Sequence, residues 1–203
     1  MFEGSKDLPY HRPPLSKSCL WDEELELNYL KPKESYEKNG IELKLGTRVR
    51  RLNSIDKRIE CENGEEYEYD KLVLATGAEA AIPPISGLKE AQNLFLLRAV
   101  TDIRQIRKSI SDKDSPKCVI IGGGFIGLEV AASLRKLGLE VTILERESSV
   151  LARVSSPEVS KFFENFHKDK GVEILCSKEV QKVESRGGRN IIHCSDGSEV
   201  EAD

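Results

Sequence analysis

The feature that most constrains the fold of this chain is the motif Gly122-x-Gly124-x-x-Gly127, which follows an apolar run at residues 119–121. The apolar run predicts a buried strand, and the glycines predict a sharp turn from that strand into a helix. In such a turn the three glycines permit, in order, a tight bend, close approach of the backbone to a pyrophosphate, and close packing of helix against strand. The segment therefore predicts a dinucleotide-binding turn, with an ordinary glycine turn as the alternative.

The helix after this turn is expected to begin at Phe125, so that the backbone amides of Phe125 and Ile126 face the pyrophosphate. Unpaired N–H groups and the helix dipole favour anions at this end of a helix. An acid, Glu145, directly follows the second apolar run and lies 18 positions after Gly127. A carboxylate at about this distance accepts hydrogen bonds from the adenosine ribose and repels a ribose phosphate. We therefore expect NADH to be preferred over NADPH, although Arg146 could weaken that preference.

Charge and hydropathy exclude several classes of protein. The formal net charge is −4, and there is no basic run with interleaved aromatic residues, which argues against a nucleic-acid surface. No apolar stretch approaches the length of a membrane span, and the amino terminus lacks the charged-then-apolar order of a secretion signal. The expected protein is soluble and cytoplasmic.

The five cysteines and three histidines show no spacing typical of a metal site or a disulfide framework. The cysteines are scattered and form no C-x-x-C pair, and the histidines are isolated. We therefore expect no bound metal.

Two stretches of the chain resemble one another. Gly40 opens a stretch with a turn at Asn63-Gly64, and Gly171 opens a matching stretch with a turn at Asp196-Gly197. Asn-Gly and Asp-Gly suit the two-residue turn of a β-hairpin. Each copy therefore predicts a short strand followed by a β-meander. The alternative is two unrelated hairpins.

The repeat also predicts which parts of each domain are present. The glycine motif starts 49 positions before Gly171, and the position 49 before Gly40 precedes Met1. After Asp70 the first copy continues into KLVLATGA, which predicts a buried strand ending at a glycine turn, whereas the second copy stops at Asp203. We expect a chain cut at both ends, whose first domain lacks its N-terminal βαβ and whose second lacks its last strand.

The expected fold class is α/β, with two related, incomplete Rossmann-like domains of three-layer β/β/α architecture carrying β-meander hairpins. The first, partial dinucleotide-binding domain would span residues 1–112 and the second residues 117–203, with the polar segment 111–116 between them. Apolar spacing predicts an amphipathic helix at residues 101–110, and a short helix is expected before Gly40. Ser156-Pro157-Glu158 marks a helix start.

Four segments in a fixed order carry a family resemblance across nearly the whole chain: PYHRPPLSK from residue 9, YDKLVLATGA from residue 69, IGGGFIGLEVAASL from residue 121, and LARVSSPEVSKFF from residue 151. In this order they resemble the ferredoxin, rubredoxin and putidaredoxin reductase group of FAD-dependent pyridine-nucleotide oxidoreductases. Apoptosis-inducing-factor-like proteins are relatives of that group. The resemblance implies an FAD domain interrupted by an inserted NAD domain, and a carboxy-terminal domain that covers the flavin. Residues 1–112 would then form the partial FAD-binding domain and residues 117–203 the NAD-binding domain.

The resemblance implies that two residues are catalytic. Lys17 would lie beside the reactive edge of the flavin, where a cation stabilises the charge of the reduced ring. Glu129 would face flavin and nicotinamide and pair with this lysine. The alternative for Lys17 is a surface lysine after a proline-rich turn. The alternative for Glu129 is an acid in the first helical turn, where the helix dipole favours a negative charge.

The family resemblance implies further contacts to the cofactors. Arg12 is similar to the family arginine near the flavin, in a loop that Pro13 stiffens by fixing φ. The turn at Ala75, Thr76 and Gly77 matches the one through which the chain passes the FAD, although it could be a plain strand-ending turn. Arg153 would lie past the adenine-side strand, as a nucleotide contact or as a solvated cation.

The implied activity is hydride transfer from NADH to FAD, followed by single-electron transfer to a small iron–sulfur or rubredoxin-type carrier. A thiol relay is not expected, because disulfide reductases of this superfamily carry their cysteines ahead of the lysine, and Cys19 follows Lys17. Arg48, Arg50 and Arg51 could form a basic patch for an acidic partner, with a solvated strand edge as the favoured alternative. Two other functions stay open: an apoptosis-inducing-factor-like redox and interaction protein, and a non-catalytic dinucleotide-binding fragment. The isolated chain is expected to bind FAD poorly, because the phosphate-binding loop for FAD should lie in the missing amino-terminal part.

Overall fold

The computed structural model describes residues 1–111 and 116–203. By contacts within the chain, these residues form two compact units. The first unit comprises Met1–Arg12 and Glu26–Ala78, and the second comprises Pro13–Leu25 and Glu79–Asp203. The expected boundary segment falls on residues 112–115, which lie outside the described residues, so the division into domains 1–112 and 117–203 stays a prediction.

Helices and strands alternate in the second unit, while short strands dominate the first. The helices are α1 (Ser18–Trp21), α2 (Lys33–Lys38), α3 (Val100–Ser111), α4 (Phe125–Lys136) and α5 (Pro157–Asp169), with a 3₁₀ turn at Pro13–Ser16. The strands are β1 (Phe2–Glu3), β2 (Lys44–Leu45), β3 (Val49–Asn53), β4 (Arg58–Cys61), β5 (Glu66–Glu68), β6 (Lys117–Ile121), β7 (Glu140–Leu144), β8 (Val172–Leu175), β9 (Val180–Arg186), β10 (Arg189–Cys194) and β11 (Glu199–Ala202).

The first unit is built on an antiparallel meander in the order β3-β4-β5, beside a parallel pair of β1 and β2. The turn between β4 and β5 contains Asn63-Gly64, as the sequence predicts, and Gly64 has a φ of 84°. Phe2 of β1 meets Tyr67 of β5 edge to face, with ring centroids 4.9 Å apart. This aromatic contact joins the parallel pair to the meander.

The prediction of a buried strand at KLVLATGA is wrong. Residues 71–80 have no regular secondary structure, and the side chains of Val73 and Leu74 are 87% and 67% exposed. An apolar segment becomes a buried strand only where neighbouring strands offer hydrogen bonds and a face to pack on. No described strand pairs with these residues, so the apolar pattern alone does not produce the element.

The second unit has a parallel sheet in the order β6-β7-β8 and an antiparallel meander in the order β11-β10-β9. Helix α4 connects β6 to β7 and packs on β7, and α5 connects β7 to β8 and packs on β8. Both repeats therefore continue from a helix through a short strand, β2 or β8, into a three-stranded meander. The expected α/β fold and the expected match between the two meanders are confirmed.

The core of the second unit lies between the parallel sheet and the meander. Leu144 of β7 packs with Val183 of β9 and Ile192 of β10, each at most 5% exposed. Alternation along β7 turns Val141 and Ile143 to the opposite face, toward the helices, where both are buried. Each such side chain stabilises the fold by about 1.5–3 kcal/mol when buried. The sheet is thus held from both sides, with its carboxyl ends at the glycine turn.

The expected helices are present. The Ser156 side chain accepts a hydrogen bond from the Val159 amide, and Pro157 occupies the first position of α5. Helix α3 buries Ile103 and Ile106, in agreement with its apolar spacing. Among the described residues, no helix combines the length and the apolar character that crossing a bilayer requires.

Candidate functional site

The glycine turn joins β6 to α4 with the geometry that the motif predicts. Gly122 has a φ of 113°, in a region that residues with a side chain rarely adopt. A Cβ on Gly127 would lie 2.1 Å from the carbonyl oxygen of Gly122. Because the clash is with backbone, no side-chain movement relieves it. Gly127 therefore permits the close packing of helix against strand.

The amino end of α4 forms an open cradle. Gly124 is the N-cap residue, with φ −78° and ψ −179°. As a glycine it has no side chain that could cap the helix. A Cβ built on Gly124 meets no described atom within 4 Å. The amides of Phe125 and Ile126 follow in the first turn of α4, and both side chains are exposed. The cradle fits a pyrophosphate, because first-turn amides need acceptors and the helix dipole favours an anion there.

Glu145 directly follows β7 and is fixed beside this turn. Its Oε2 accepts a hydrogen bond from the Gly123 amide at 2.6 Å, and its Oε1 accepts one from the Glu147 amide at 2.8 Å. Each oxygen of a carboxylate can accept further bonds, so the group can still receive sugar hydroxyls. Arg146 is half-exposed and its Nη2 lies 3.3 Å from Glu147 Oε1. The arginine is therefore paired with an acid.

Sequence reasoning missed Glu164, which supports the same loop from α5. This carboxyl is 8% exposed, and its Oε1 accepts from the Val150 amide at 3.3 Å. Leu151, the next residue, donates its amide to the carbonyl of Gly123 at 3.0 Å. The available signal was its spacing from Ser160 and His167, which are also buried on α5. Arg153 lies exposed in the turn that follows, and its role stays a prediction.

The second site feature in this unit is an ion pair between Lys17 and Glu129. The 3₁₀ turn at Pro13–Ser16 leads to Lys17, whose Nζ lies 2.6 Å from Glu129 Oε2 on α4. The hydroxyl of Ser16 donates to the same oxygen at 2.5 Å. Glu129 is the fifth residue of α4, past the first turn, where the helix dipole has little effect. The geometry thus brings together the two residues that the resemblance pairs, and adds Ser16.

The ion pair sets the charge of Glu129. Partial burial by itself raises the pKa of this carboxyl, but hydrogen bonds from Lys17 and Ser16 outweigh it and hold the pKa below its ordinary value. Glu129 is therefore a carboxylate at neutral pH. The site can hold a lysine ammonium in a fixed place while balancing its charge.

The sequence matches the family described as pyridine nucleotide-disulphide oxidoreductase over residues 1–203. The chain belongs to this family. It is 36% identical over 202 residues to the putidaredoxin reductase of Pseudomonas putida, covering 97% of this chain and 47% of that protein. It is 35% identical over 206 residues to the ferredoxin reductase subunit of a 5,5'-dehydrodivanillate O-demethylase from a Sphingobium species, covering 100% of this chain and 49% of that protein.

Solved structures of two reductases are also similar to this chain. A covalent putidaredoxin reductase–putidaredoxin complex matches with a TM-score of 0.89 at 34% identity, over 100% of this chain and 49% of that one. A ferredoxin reductase from Rhodopseudomonas palustris matches with a TM-score of 0.91 at 31% identity, over 100% and 50%. The resemblance to this reductase group is confirmed, and the chain spans about half the length of the curated relatives it matches.

Four further residues expected at the cofactor, Arg12 and residues 75–77, lie in the first unit, whereas Pro13 belongs to the second. Arg12 is exposed, and so are Ala75, Thr76 and Gly77. Their roles at the cofactor stay predictions.

Two of the three arginines considered as a basic patch, Arg48 and Arg50, pair with acids of the first-unit meander. Arg50 pairs with Glu60, and Arg48 Nε lies 3.9 Å from Glu62 Oε1. Three of these four side chains are more than half exposed, so the pairs contribute little to stability. This arrangement agrees with the solvated strand edge that the sequence favours.

The pH dependence of stability tests the charge of Glu129. Because its folded-state pKa is depressed, the pair stabilises the fold above the ordinary pKa of a glutamate, and this contribution is lost as the pH falls through the folded value. We expect Glu129→Gln to flatten the decline in stability between about pH 5 and pH 3. Urea unfolding across that range measures it. A parallel decline in both proteins would contradict the charge state assigned to Glu129.

Burial disfavours the thiolate form at three cysteines of this family member. Burial raises the pKa of Cys118 to about 11, and burial together with nearby Glu164 raises that of Cys176 to about 11. Burial also raises the pKa of Cys19. Among the described residues, no cluster of three His, Cys, Asp or Glu side chains could hold a metal ion.

We expect Cys118 and Cys176 to react with iodoacetamide at pH 8 at least about 100-fold more slowly in the folded chain than in urea, since a thiol with a pKa near 11 has little thiolate there. Mass spectrometry of peptides after timed alkylation measures each site. Rapid labelling of Cys176 in the folded chain would show that its thiol is activated.

Proposed function

We propose that this chain forms part of an NADH-dependent flavoprotein reductase, which passes electrons from NADH through FAD to a small electron carrier. The observation that carries the proposal is the Lys17–Glu129 ion pair, whose acid lies on the same helix that opens at the dinucleotide turn. An ammonium held at 2.6 Å from a carboxylate, next to a redox cofactor, can stabilise negative charge without being lost to solvent. The family supports the same function.

FAD fits this site in the chemistry of its residues. When bound, FAD accepts two electrons as a hydride and can release them singly. Lys17 would place its positive charge at the flavin, and Glu129 would hold that lysine in one orientation. Arg12, Pro13 and the turn at 75–77 are proposed as further contacts to the cofactor.

NADH is proposed as the preferred nucleotide. The support is the carboxylate of Glu145, which is anchored by the amides of Gly123 and Glu147 beside the glycine turn. A fixed negative charge disfavours the additional phosphate of NADPH. Arg146, the nearest cation in sequence, lies 3.3 Å from Glu147 Oε1, which partly offsets its charge.

The proposed electron acceptor is a small iron–sulfur or rubredoxin-type protein. The support is that similar proteins are a putidaredoxin reductase and a rubredoxin-NAD(+) reductase, at 36% and 34% identity. The positions and raised pKa values of the cysteines argue against a disulfide substrate, because a thiolate relay needs an activated thiol.

The test is to mix the full-length protein that contains this chain with FAD and NADH without oxygen, and to follow the reduction of an added ferredoxin or rubredoxin by absorbance. We expect carrier reduction that requires both FAD and NADH, and a decrease of at least about tenfold in Lys17→Met, with unchanged NADH affinity.

Two outcomes would contradict the proposal. A long-lived reduced charge-transfer complex with negligible carrier reduction would favour a redox-dependent interaction protein. NADH binding without retention of FAD would favour a non-catalytic dinucleotide-binding fragment.

A further inference from the structure

Ser16 lies at the centre of the Lys17–Glu129 site although no sequence motif singles it out. It ends the 3₁₀ turn, is 4% exposed, and its hydroxyl lies 2.5 Å from Glu129 Oε2 and 3.3 Å from the carbonyl oxygen of Pro13. A hydroxyl has one proton to donate. Hydrogen bonds from a hydroxyl to an ionised acceptor are typically 2.5–2.7 Å long. The proton of Ser16 is therefore directed to Glu129.

The backbone of Ser16 is held by a second serine. Ser133 is fully buried on α4, one turn after Glu129, and its hydroxyl lies 2.6 Å from the carbonyl oxygen of Ser16. The same hydroxyl lies 2.8 Å from the carbonyl oxygen of Glu129. The 3₁₀ turn is thus fixed to α4 at two points, through the carbonyl and the hydroxyl of one residue.

Ser16 and Lys17 donate to the same carboxylate oxygen, Oε2 of Glu129. They also share a second acceptor, because the carbonyl oxygen of Pro13 lies 3.3 Å from both Ser16 Oγ and Lys17 Nζ. Without the hydroxyl bond, the Glu129 carboxyl can rotate away from Lys17, which would then keep only its bond to the Pro13 carbonyl. Two donors on one oxygen instead leave the carboxylate a single orientation.

We propose that Ser16 is a positioning residue, whose hydroxyl fixes the Glu129 oxygen to which Lys17 binds, while Ser133 fixes the backbone of Ser16. Ser16 acts through Glu129 and does not itself touch the reacting atoms. Its importance for electron transfer rests on the proposed function, whereas the hydrogen bond and its effect on Glu129 do not.

The test measures the side-chain carboxyl of Glu129 by NMR in the cofactor-free chain with carbon-13-labelled glutamate. We expect Ser16→Ala to raise the pKa of Glu129 toward that of an ordinary glutamate, because the ionised form loses a donor. Ser16→Thr retains a hydroxyl and is expected to leave the pKa close to that of the unaltered chain. An unchanged pKa in Ser16→Ala would overturn the proposal.

A measurement on the unaltered chain covers the case in which Ser16→Ala fails to fold. The hydroxyl proton of Ser16 is expected as a downfield, slowly exchanging signal at neutral pH that shifts as Glu129 is protonated. A signal that does not follow the Glu129 titration would also overturn the proposal.

The FAD-loaded protein separates this inference from the proposed function. There, Ser16→Ala is expected to move the acidic limb of the pH profile of carrier reduction to higher pH by the same amount as the Glu129 pKa. Absence of carrier reduction in the unaltered protein would contradict only the proposed function. A profile that stays in place, despite a raised Glu129 pKa, would overturn the role of Ser16 in positioning the pair.

Discussion

Gly127→Ala is expected to destabilise the second unit and to abolish NADH binding. The added Cβ would lie 2.1 Å from the carbonyl oxygen of Gly122, and the atom it meets is backbone. Overpacking a well-packed interior typically costs about 1–3 kcal/mol, and the upper end is expected here because α4 must move away from β6. That shift also displaces the first-turn amides from the pyrophosphate position. Urea unfolding measures the loss of stability, and quenching of NADH fluorescence measures binding.

Gly124→Ala is the matched control for this prediction. The added Cβ meets no described atom within 4 Å, and a φ of −78° is accessible to alanine. The expected loss of stability is therefore only the N-cap cost of alanine relative to glycine, about 1 kcal/mol or less and smaller than in Gly127→Ala. NADH affinity should fall by about tenfold or more, because the methyl group fills the space where the pyrophosphate approaches. Equal stability losses in the two variants, or NADH affinity unchanged in Gly124→Ala, would contradict the assigned glycine roles.

Glu145→Arg is expected to reverse the nucleotide preference. The substitution removes the negative charge that repels the ribose phosphate of NADPH and supplies a guanidinium that can bind this phosphate through two hydrogen bonds. Since a hydrogen bond to a charged group contributes about 1.5–3 kcal/mol, the ratio of NADH to NADPH affinity should change by about 10- to 100-fold. Titration of the chain with both nucleotides measures the ratio.

The variant also has a structural cost, because the Gly123 and Glu147 amides lose the carboxylate that accepts their hydrogen bonds. Glu145→Gln separates this cost from the change of charge, since the amide oxygen can replace one acceptor. We expect Glu145→Gln to weaken NADH binding and to reduce discrimination without reversing it. Unchanged relative affinities in Glu145→Arg would remove Glu145 from the nucleotide site.

The parts of the fold that sequence predicts correctly depend on local chemistry. The glycine turn, the Ser156 cap of α5 and the hairpin turn at Asn63-Gly64 each require particular backbone geometry within a few residues. The repeat adds a constraint, because a meander predicted in one copy supports the meander predicted in the other. These elements can therefore be predicted from the sequence without knowledge of what packs against them.

The parts that sequence misses depend on contacts between distant segments. Residues 71–80 have an apolar strand pattern but no described strand beside them. Ser16 is separated from Glu129 by 113 positions, so no spacing rule joins them. Glu164 lies on an amphipathic helix where an acid is usually exposed, and its burial is accompanied by hydrogen bonds from the Val150 amide and Cys176 Sγ that its position in the sequence does not reveal. Family resemblance supplied the pairing of Lys17 with Glu129, which composition and periodicity do not contain.

The most direct test of the central claim is an NMR titration of the nitrogen-15-labelled chain with NADH, following the backbone amides at the start of α4. Binding of a pyrophosphate in the Gly124 cradle predicts large, saturable shifts of the amides of Gly124, Phe125 and Ile126. Smaller changes are expected at Gly123, which already donates to Glu145. Saturable NADH binding that leaves these amides unchanged, or no binding at all, would contradict the assignment of this turn as the dinucleotide site.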